Sequence, residues 1–447
     1  MKYDVIVIGG NPAGGAAAEV AKQLHSDKSV LVIRKEPESL IPCGIPYVFG
    51  TLSAVEDDIK PLDGVMKKGA EFLFDEVTSI DAENKTISLQ NNDQFSYDKL
   101  VIATGSTPFI PPIEGNNLDG VFTISKELAH VKSIREPLRN AKNIVIVGAG
   151  FIGMEMGDEL AKVVDNITII ESMESILPLA FDKDMMSPVD EELQKNDVTI
   201  RTSTMVKRII GKADKVTGVE LNSDEVVPAD AVILAIGYTP NNVLAKEAGL
   251  DIGVFGGIVT DEYLRTSAKD IFAVGDCAEH RDFFTRKQSR LMLASTGASE
   301  ARIAGMNIFD LKVVRQNKGS IAIFSTSLGQ TSMGAAGLTE NQATSEGFQF
   351  VVGQCRGLDH HPGKLPGAKV HMKLLFSTGS GVLLGAQIIG GKTTGEMINI
   401  LGLAIQKSMT AAELATMQYG TQPLLTAGPG LYPIVVSATD ALEKMQR

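Results

Sequence analysis

Asn143-Ile144-Val145-Ile146-Val147-Gly148-Ala149-Gly150-Phe151-Ile152-Gly153 decides the fold. An apolar, β-branched run enters a Gly-x-Gly-x-x-Gly turn that opens a helix, the strand, turn and helix context of a dinucleotide site. Glycine at those spacings closes the turn, lets backbone approach a pyrophosphate and lets the helix pack on the strand. The next strand, Asn166 to Ile170, ends in Glu171 about 20 residues on, where an acid holds ribose hydroxyls. Ser172, Met173 and Glu174 follow without an arginine for a 2′-phosphate, so the site suits NADH better than NADPH.

The same pattern opens the chain. Tyr3 to Ile8 is an apolar strand, Gly9-Gly10-Asn11-Pro12-Ala13-Gly14 is the turn, and an alanine-rich helix follows. Asn11 stands at the middle glycine, and asparagine tolerates left-handed backbone better than most residues. The second strand, Ser29 to Ile33, ends in Arg34 where an acid is expected, and Glu36 comes shortly after. Either Glu36 substitutes or the ribose is held differently.

Two further strands, DKLVIATGSTP from Asp98 and AVILAIGYTP from Ala231, end in small residues that permit close approach to a cofactor. In the first these are Ala103, Thr104 and Gly105; in the second, Gly237. Pro111-Pro112 and Gly256-Gly257 mark crossings between domains, and TSAKDIFAVGD closes a strand on Gly275-Asp276, at the strand end where such sheets bind ligands. From about Ile321 the texture changes to strands and glycine-rich turns, then a helix pair from about Gly395 to Met417 and a last helix from Ser437 to Lys444.

Length and composition bound the class. A chain of 447 residues has material for about three domains, and 44% hydrophobic with 21% charged residues is ordinary for a globular protein. No stretch approaches the roughly 20 apolar residues of a membrane span. A net charge of -12 opposes a nucleic-acid surface. The three cysteines lack paired spacing and no export signal is visible, so a cytoplasmic location is expected. Asp359-His360-His361 lacks the further ligands a metal needs, and no metal is expected.

One cysteine stands out. Cys43, in ESLIPCGIPYVFGTL, lies among parts suited to moving hydrides, whereas Cys277 and Cys355 read as small buried hydrophobes. A thiolate is the reactive form, and a helix N-terminus supplied by GIPYVFG, with its early Pro46, is expected to lower the pKa of Cys43.

Two fingerprints, an ATG-like strand in each nucleotide domain, FAVGDCAE and the lone cysteine of PCGIPY together resemble the flavin-dependent pyridine nucleotide disulfide oxidoreductases. The resemblance is to the single-cysteine branch of coenzyme A disulfide reductases, coenzyme A persulfide reductases and NADH oxidases. It implies an α/β protein with two Rossmann-like domains, one for FAD and one for NAD, and a C-terminal α+β dimerisation domain. The expected limits are 1–112 and 251–320 for the FAD domain, 113–250 for the NAD domain and 321–447 for dimerisation. It also implies that the first turn, Arg34 or Glu36, Val77, the ATG residues and Gly275-Asp276 hold FAD. The second turn, Glu155, Glu171 and Gly237 would serve NADH, with Glu155 near the nicotinamide.

Departures define the branch. Dithiol members carry a second cysteine where this chain has Val48, a histidine-proline pair where Gln422-Pro423 stands, and peroxidase and oxidase relatives carry a histidine where Pro12 stands. The implied reaction therefore runs from NADH through flavin to a sulfur centre at Cys43, reducing a small disulfide or persulfide, such as one derived from coenzyme A. Tyr419 matches a family tyrosine that a partner subunit supplies as proton donor, and His361 stands where a second is expected. The basic run HRDFFTRKQSR, with Arg286 and Lys287, reads as a solvated surface or a landing site for coenzyme A phosphates. A built-in rhodanese-like sulfur carrier is not expected. The alternatives are an oxygen-reducing NADH oxidase with a Cys43 sulfenate, a low-turnover flavin redox sensor, and a ferredoxin or rubredoxin reductase.

Overall fold

The computed structural model describes residues 1–61, 63–189, 198–314, 317–361, 363 and 367–446. Its first sheet has seven strands, and the central ones, Val30–Arg34, Lys2–Ile8 and Gln94–Ile102, run parallel. Ile271–Ala273 joins them from far along the chain, pairing with Leu100 to Ile102. The strand residues Val5, Ile6 and Val7 are wholly buried: Val5 and Val7 pack on helix residues such as Ala17 and Ala301, and Ile6 on the opposite face packs with Val77, Ile80, Ile87 and Leu89 of two further strands. Each such aliphatic side chain contributes about 1.5–3 kcal/mol of burial. One covering pair, Pro12–Leu24 and Ala294–Asn307, crosses closely enough that a Cβ on Gly305 would lie 3.0 Å from the Ala17 carbonyl oxygen.

A second sheet of five parallel strands holds Asn143–Val147 at its centre, flanked by Asn166–Ile170 and Ala231–Leu234. The two nucleotide units are joined by a short antiparallel ribbon in which Ser106–Pro108 pairs with Tyr238–Pro240. Thr104 and Asn241 lock it, the Thr104 hydroxyl donating to the Asn241 carbonyl (2.7 Å) and the Asn241 amide to the Thr104 carbonyl (2.8 Å).

The C-terminal unit is a five-stranded antiparallel sheet from Ile323–Leu328 to Leu383–Gly390, backed by Thr394–Gln406, Ala411–Ala415 and Pro433–Met445. The last helix begins at Pro433 rather than Ser437, because proline's fixed φ and missing N–H suit a first helical turn. Lys373 of this sheet is 1% exposed and is a hub between units. Its ammonium meets Asp184 at 2.8 Å, Asp182 at 3.2 Å and also Glu340. That acidic trio, the one group among the described residues with metal-like spacing, thus already surrounds an internal cation. No helix among the described residues is long and apolar enough to cross a membrane.

Candidate active site

Both glycine turns adopt one geometry. Gly9 and Gly148 each have φ of +104°, and a Cβ on Gly14 or Gly153 would fall 1.8 or 1.9 Å from the carbonyl oxygen of Gly9 or Gly148. The Gly9 and Gly148 amides donate to the Ile33 and Ile170 carbonyls at 2.8 Å each, so Arg34 and Glu171 occupy the same register in their sheets. Glu171 accepts from the amides of Ala149 and Met173, each at 2.8 Å, which fixes its carboxylate at the mouth of the turn. Val77 begins a strand just beyond Asp75, whose amide donates to the Arg34 carbonyl at 3.0 Å, so it lies beside the same strand end.

Cys43 is exposed on the loop that precedes a single 3-10 turn, Ile45–Phe49. The loop is strapped to its surroundings. The Ile41 amide donates to the Asp58 carbonyl (2.9 Å), Arg135 donates to the carbonyls of Val48 and Ser53 (2.9 Å each), and Arg139 donates to that of Phe49 (2.9 Å). Glu159 accepts from the Thr51 amide at 2.8 Å. Val48, where the resemblance would set the second cysteine of a dithiol pair, is 0% exposed and part of the core.

The thiol is not acidified by this segment. Although the residue is exposed at the surface, the protein around its sulfur partly desolvates it and pushes the Cys43 pKa up; the Glu155 carboxylate adds to the rise, Lys126 opposes it, and Asp276 and Asp58 raise it further. The expectation of a helix N-terminus is corrected, since one 3-10 turn aligns too few peptide dipoles to outweigh burial and three carboxylates.

Those same charges define the site. Asp276 accepts from Lys126 at 2.6 Å and from Ser106 at 2.8 Å; burial alone would raise its pKa, but the Lys126 ammonium holds it below the usual carboxylate range. Lys126 also lies 4.9 Å from the centre of the Tyr238 ring. Glu155 is pushed up to about 7, first by burial and then by Glu159 and Asp158, against the Thr326 hydroxyl that donates to it at 2.6 Å. Phe151 stacks on Phe324 at 4.7 Å beside them, so the C-terminal sheet reaches the second turn.

Glu155 and Asp276 thus both act on Cys43, and Lys126, Thr326 and Asp58 join them without any sequence motif to announce them. Tyr419 and His361 lie in the C-terminal unit. The Tyr419 ring stacks on Tyr432 at 4.4 Å and its hydroxyl donates to the Pro429 carbonyl; the His361 amide donates to the Pro423 carbonyl at 3.2 Å. Among the described residues of one chain, no hydrogen bond joins either to Cys43, and Pro362 beside His361 is outside the described residues. In the basic run, Lys287 is paired with Glu346 at 2.6 Å and Arg286 donates to the Lys318 carbonyl, so both cations have partners within the chain. Cys277 and Cys355 are buried.

The family model described as pyridine nucleotide-disulphide oxidoreductase matches residues 3–301, and the dimerisation-domain model of the same family matches 323–429. A relative named NADH oxidase from Methanocaldococcus jannaschii is 33% identical over 98% of this chain and 99% of its own. One named NAD(P)H coenzyme A polysulfide/persulfide reductase, from Pyrococcus horikoshii, is 34% identical over 87% of this chain and 88% of its own. The solved structure of a NAD-dependent persulfide reductase from A. fulgidus superimposes with a TM-score of 0.91 at 31% identity, covering 100% of this chain and 84% of that one. The chain belongs to the pyridine nucleotide-disulphide oxidoreductase family, as a flavoenzyme that draws electrons from a pyridine nucleotide.

Proposed function

We propose that this protein reduces a small disulfide or persulfide, of the coenzyme A type, at Cys43 with electrons from NADH. One observation carries the reading: Cys43 is an exposed lone thiol with buried Val48 at the partner position, inside the field of Glu155, Lys126 and Asp276. A thiol so placed has no internal cysteine to pair with there and must take its sulfur partner from a substrate.

The glycine cradle of the first turn and Asp276, poised by Lys126 and Ser106, fit FAD, and the second turn with Glu171 fits NADH. Bound FAD would supply the two-electron step between nicotinamide and sulfur. The chain's own residues do the rest. The Cys43 Sγ, once deprotonated, attacks a substrate sulfur and forms a mixed disulfide, releasing a thiolate or, from a persulfide, hydrosulfide. Glu155, with a pKa near neutrality, can hold or release a proton at its carboxyl while Thr326 fixes its orientation. Tyr419 and His361 serve as proton donors across a homodimer interface. Leu403, Leu424, Leu425 and Leu431, each more than half exposed, support such an interface because monomers rarely leave so many large apolar side chains in water. The domain limits proposed are 1–112 with 251–320, 113–250 and 321–447, and the location is cytoplasmic.

A second reading, oxygen reduction through a Cys43 sulfenate, is favoured by the name of the Methanocaldococcus relative. One experiment separates them: NADH oxidation by wild type and Cys43→Ser without oxygen, with coenzyme A disulfide or persulfide as acceptor. Anaerobic turnover in wild type and its loss in the variant is the expected result. No anaerobic turnover beside fast oxidation in air overturns the sulfur reading.

A further inference from the structure

The first nucleotide site carries an unusual electrostatic feature. Arg34 is only 7% exposed, and its Nη1 and Nη2 have no hydrogen-bond partner among the described residues, while its Nε donates to the Glu36 carbonyl. A guanidinium is charged at any accessible pH, and leaving one buried with both of its Nη groups, about four of its five N–H donors, idle is strongly unfavourable. Burial indeed pulls its pKa down, with only partial relief from Glu36. The native chain would retain such a group where a ligand completes it.

Its position says which ligand. Arg34 stands at the end of the second strand, beside the first turn: a Cβ on Gly10 would lie 2.7 Å from the Arg34 Cδ. The second turn has Ala149 at the equivalent place and the smaller Glu171 opposite, so glycine at 10 makes room for the longer side chain. A second cation is close. Burial lowers the pKa of Lys60, the Arg34 charge lowers it further, and its Nζ lies 3.8 Å from where a Gly15 Cβ would be, on the helix that the turn opens. Glu36, the alternative ribose acid, is engaged elsewhere: its carboxylate accepts from the Leu128 amide at 3.3 Å, at the start of another helix.

We infer that Arg34 and Lys60 form a two-cation clamp that grips the phosphorylated adenosine half of FAD, replacing the acid usual at this register. The idle guanidinium N–H groups donate to ribose hydroxyl oxygens or to the adjoining phosphate, and Lys60 adds charge against the same phosphates. Polarity is thereby inverted relative to the second site: the ribose accepts hydrogen bonds here and donates them there. The inference rests on the first site holding FAD, as proposed above.

The test is FAD affinity of deflavinated protein, read by quenching of flavin fluorescence, for wild type, Arg34→Gln, Arg34→Lys, Arg34→Glu and Lys60→Gln, with ADP as competitor and melting temperature as the control for folding. The clamp predicts at least a tenfold weaker FAD Kd for Arg34→Gln, a smaller loss for Arg34→Lys and Lys60→Gln, and equal weakening of ADP competition. It also predicts that added salt weakens FAD binding more steeply in wild type than in Arg34→Gln. Arg34→Glu restores the usual acid; if it binds FAD as tightly as wild type, or if Arg34→Gln leaves FAD and ADP affinity and salt dependence unchanged, the clamp is overturned. Wild-type protein that binds no flavin at all would instead overturn the FAD reading of the site.

Discussion

The two nucleotide sites share a backbone and differ in charge. Strand register, glycine φ and the bond from the turn to the neighbouring strand coincide at Gly9 and Gly148, yet Arg34 stands where Glu171 does and Ala16 where Glu155 does. Backbone geometry therefore makes a place for a dinucleotide, while a few side chains at fixed register decide how it is gripped and whether chemistry happens beside it. The second turn opens the helix that carries Glu155, a carboxylate that acts on Cys43; the first has a buried cation, Arg34, beside it.

The comparison breaks most visibly at the glycines. Gly14→Ala and Gly153→Ala each place a Cβ within 2 Å of a carbonyl oxygen, at 1.8 and 1.9 Å, and each should cost about 3 kcal/mol locally. Gly14→Ala is expected to yield colourless protein. Gly153→Ala should keep its flavin absorbance but resist anaerobic bleaching by NADH. If both variants lose flavin equally, the assignment of one cofactor to each turn fails.

Glu155 gives the next effect, through pH. Its pKa rises from 4.5 to about 7 on folding, so between those values the native chain holds a proton that the unfolded chain has released. Stability then falls as pH climbs through that window, by about 3 kcal/mol in all. Glu155→Gln should abolish this slope: in denaturant titrations the variant is more stable than wild type at about pH 8, and the gap closes near pH 4.5. Parallel stability profiles for the two proteins would contradict a buried, proton-holding carboxyl.

The smallest change expected is at Glu171. Glu171→Ala removes the acceptor for the Ala149 amide and the one proposed for ribose hydroxyls, and should raise the Michaelis constant for NADH roughly tenfold, about 1.5 kcal/mol, with flavin content intact. A mirror-image result, lost flavin with unaltered NADH kinetics, would exchange the roles of the two sites.

How much of this was legible in the sequence depends on chain distance. The turns are local: a β-branched run and glycines at fixed spacing carry both strand and bend within a dozen or so residues, and the sequence reading finds them. The lone Cys43 and its missing partner at Val48 are equally local. The environment of that thiol is not, because Lys126 reaches Asp276 across 150 positions and Thr326 reaches Glu155 across 171. No periodicity encodes such meetings; only the packing of three units creates them. The error over the Cys43 pKa has this origin, since the local segment suggested a helix dipole while the charges that dominate arrive from elsewhere. Pro433 was a local signal for the start of the last helix that the reading passed over.

Lys373 has a consequence for how the molecule comes apart. Pulling the C-terminal sheet from the segment 182–184 would strip the Lys373 ammonium, 1% exposed, of two of its three carboxylates, leaving it Glu340 alone, and leave both aspartates without their cation. Breaking a buried pair on one side costs about 3–5 kcal/mol, more than a partial opening recovers from solvent. Heat or denaturant should therefore find no soft seam there: the second nucleotide unit and the sheet beneath it melt as one cooperative block, and whatever motion admits NADH must hinge somewhere else.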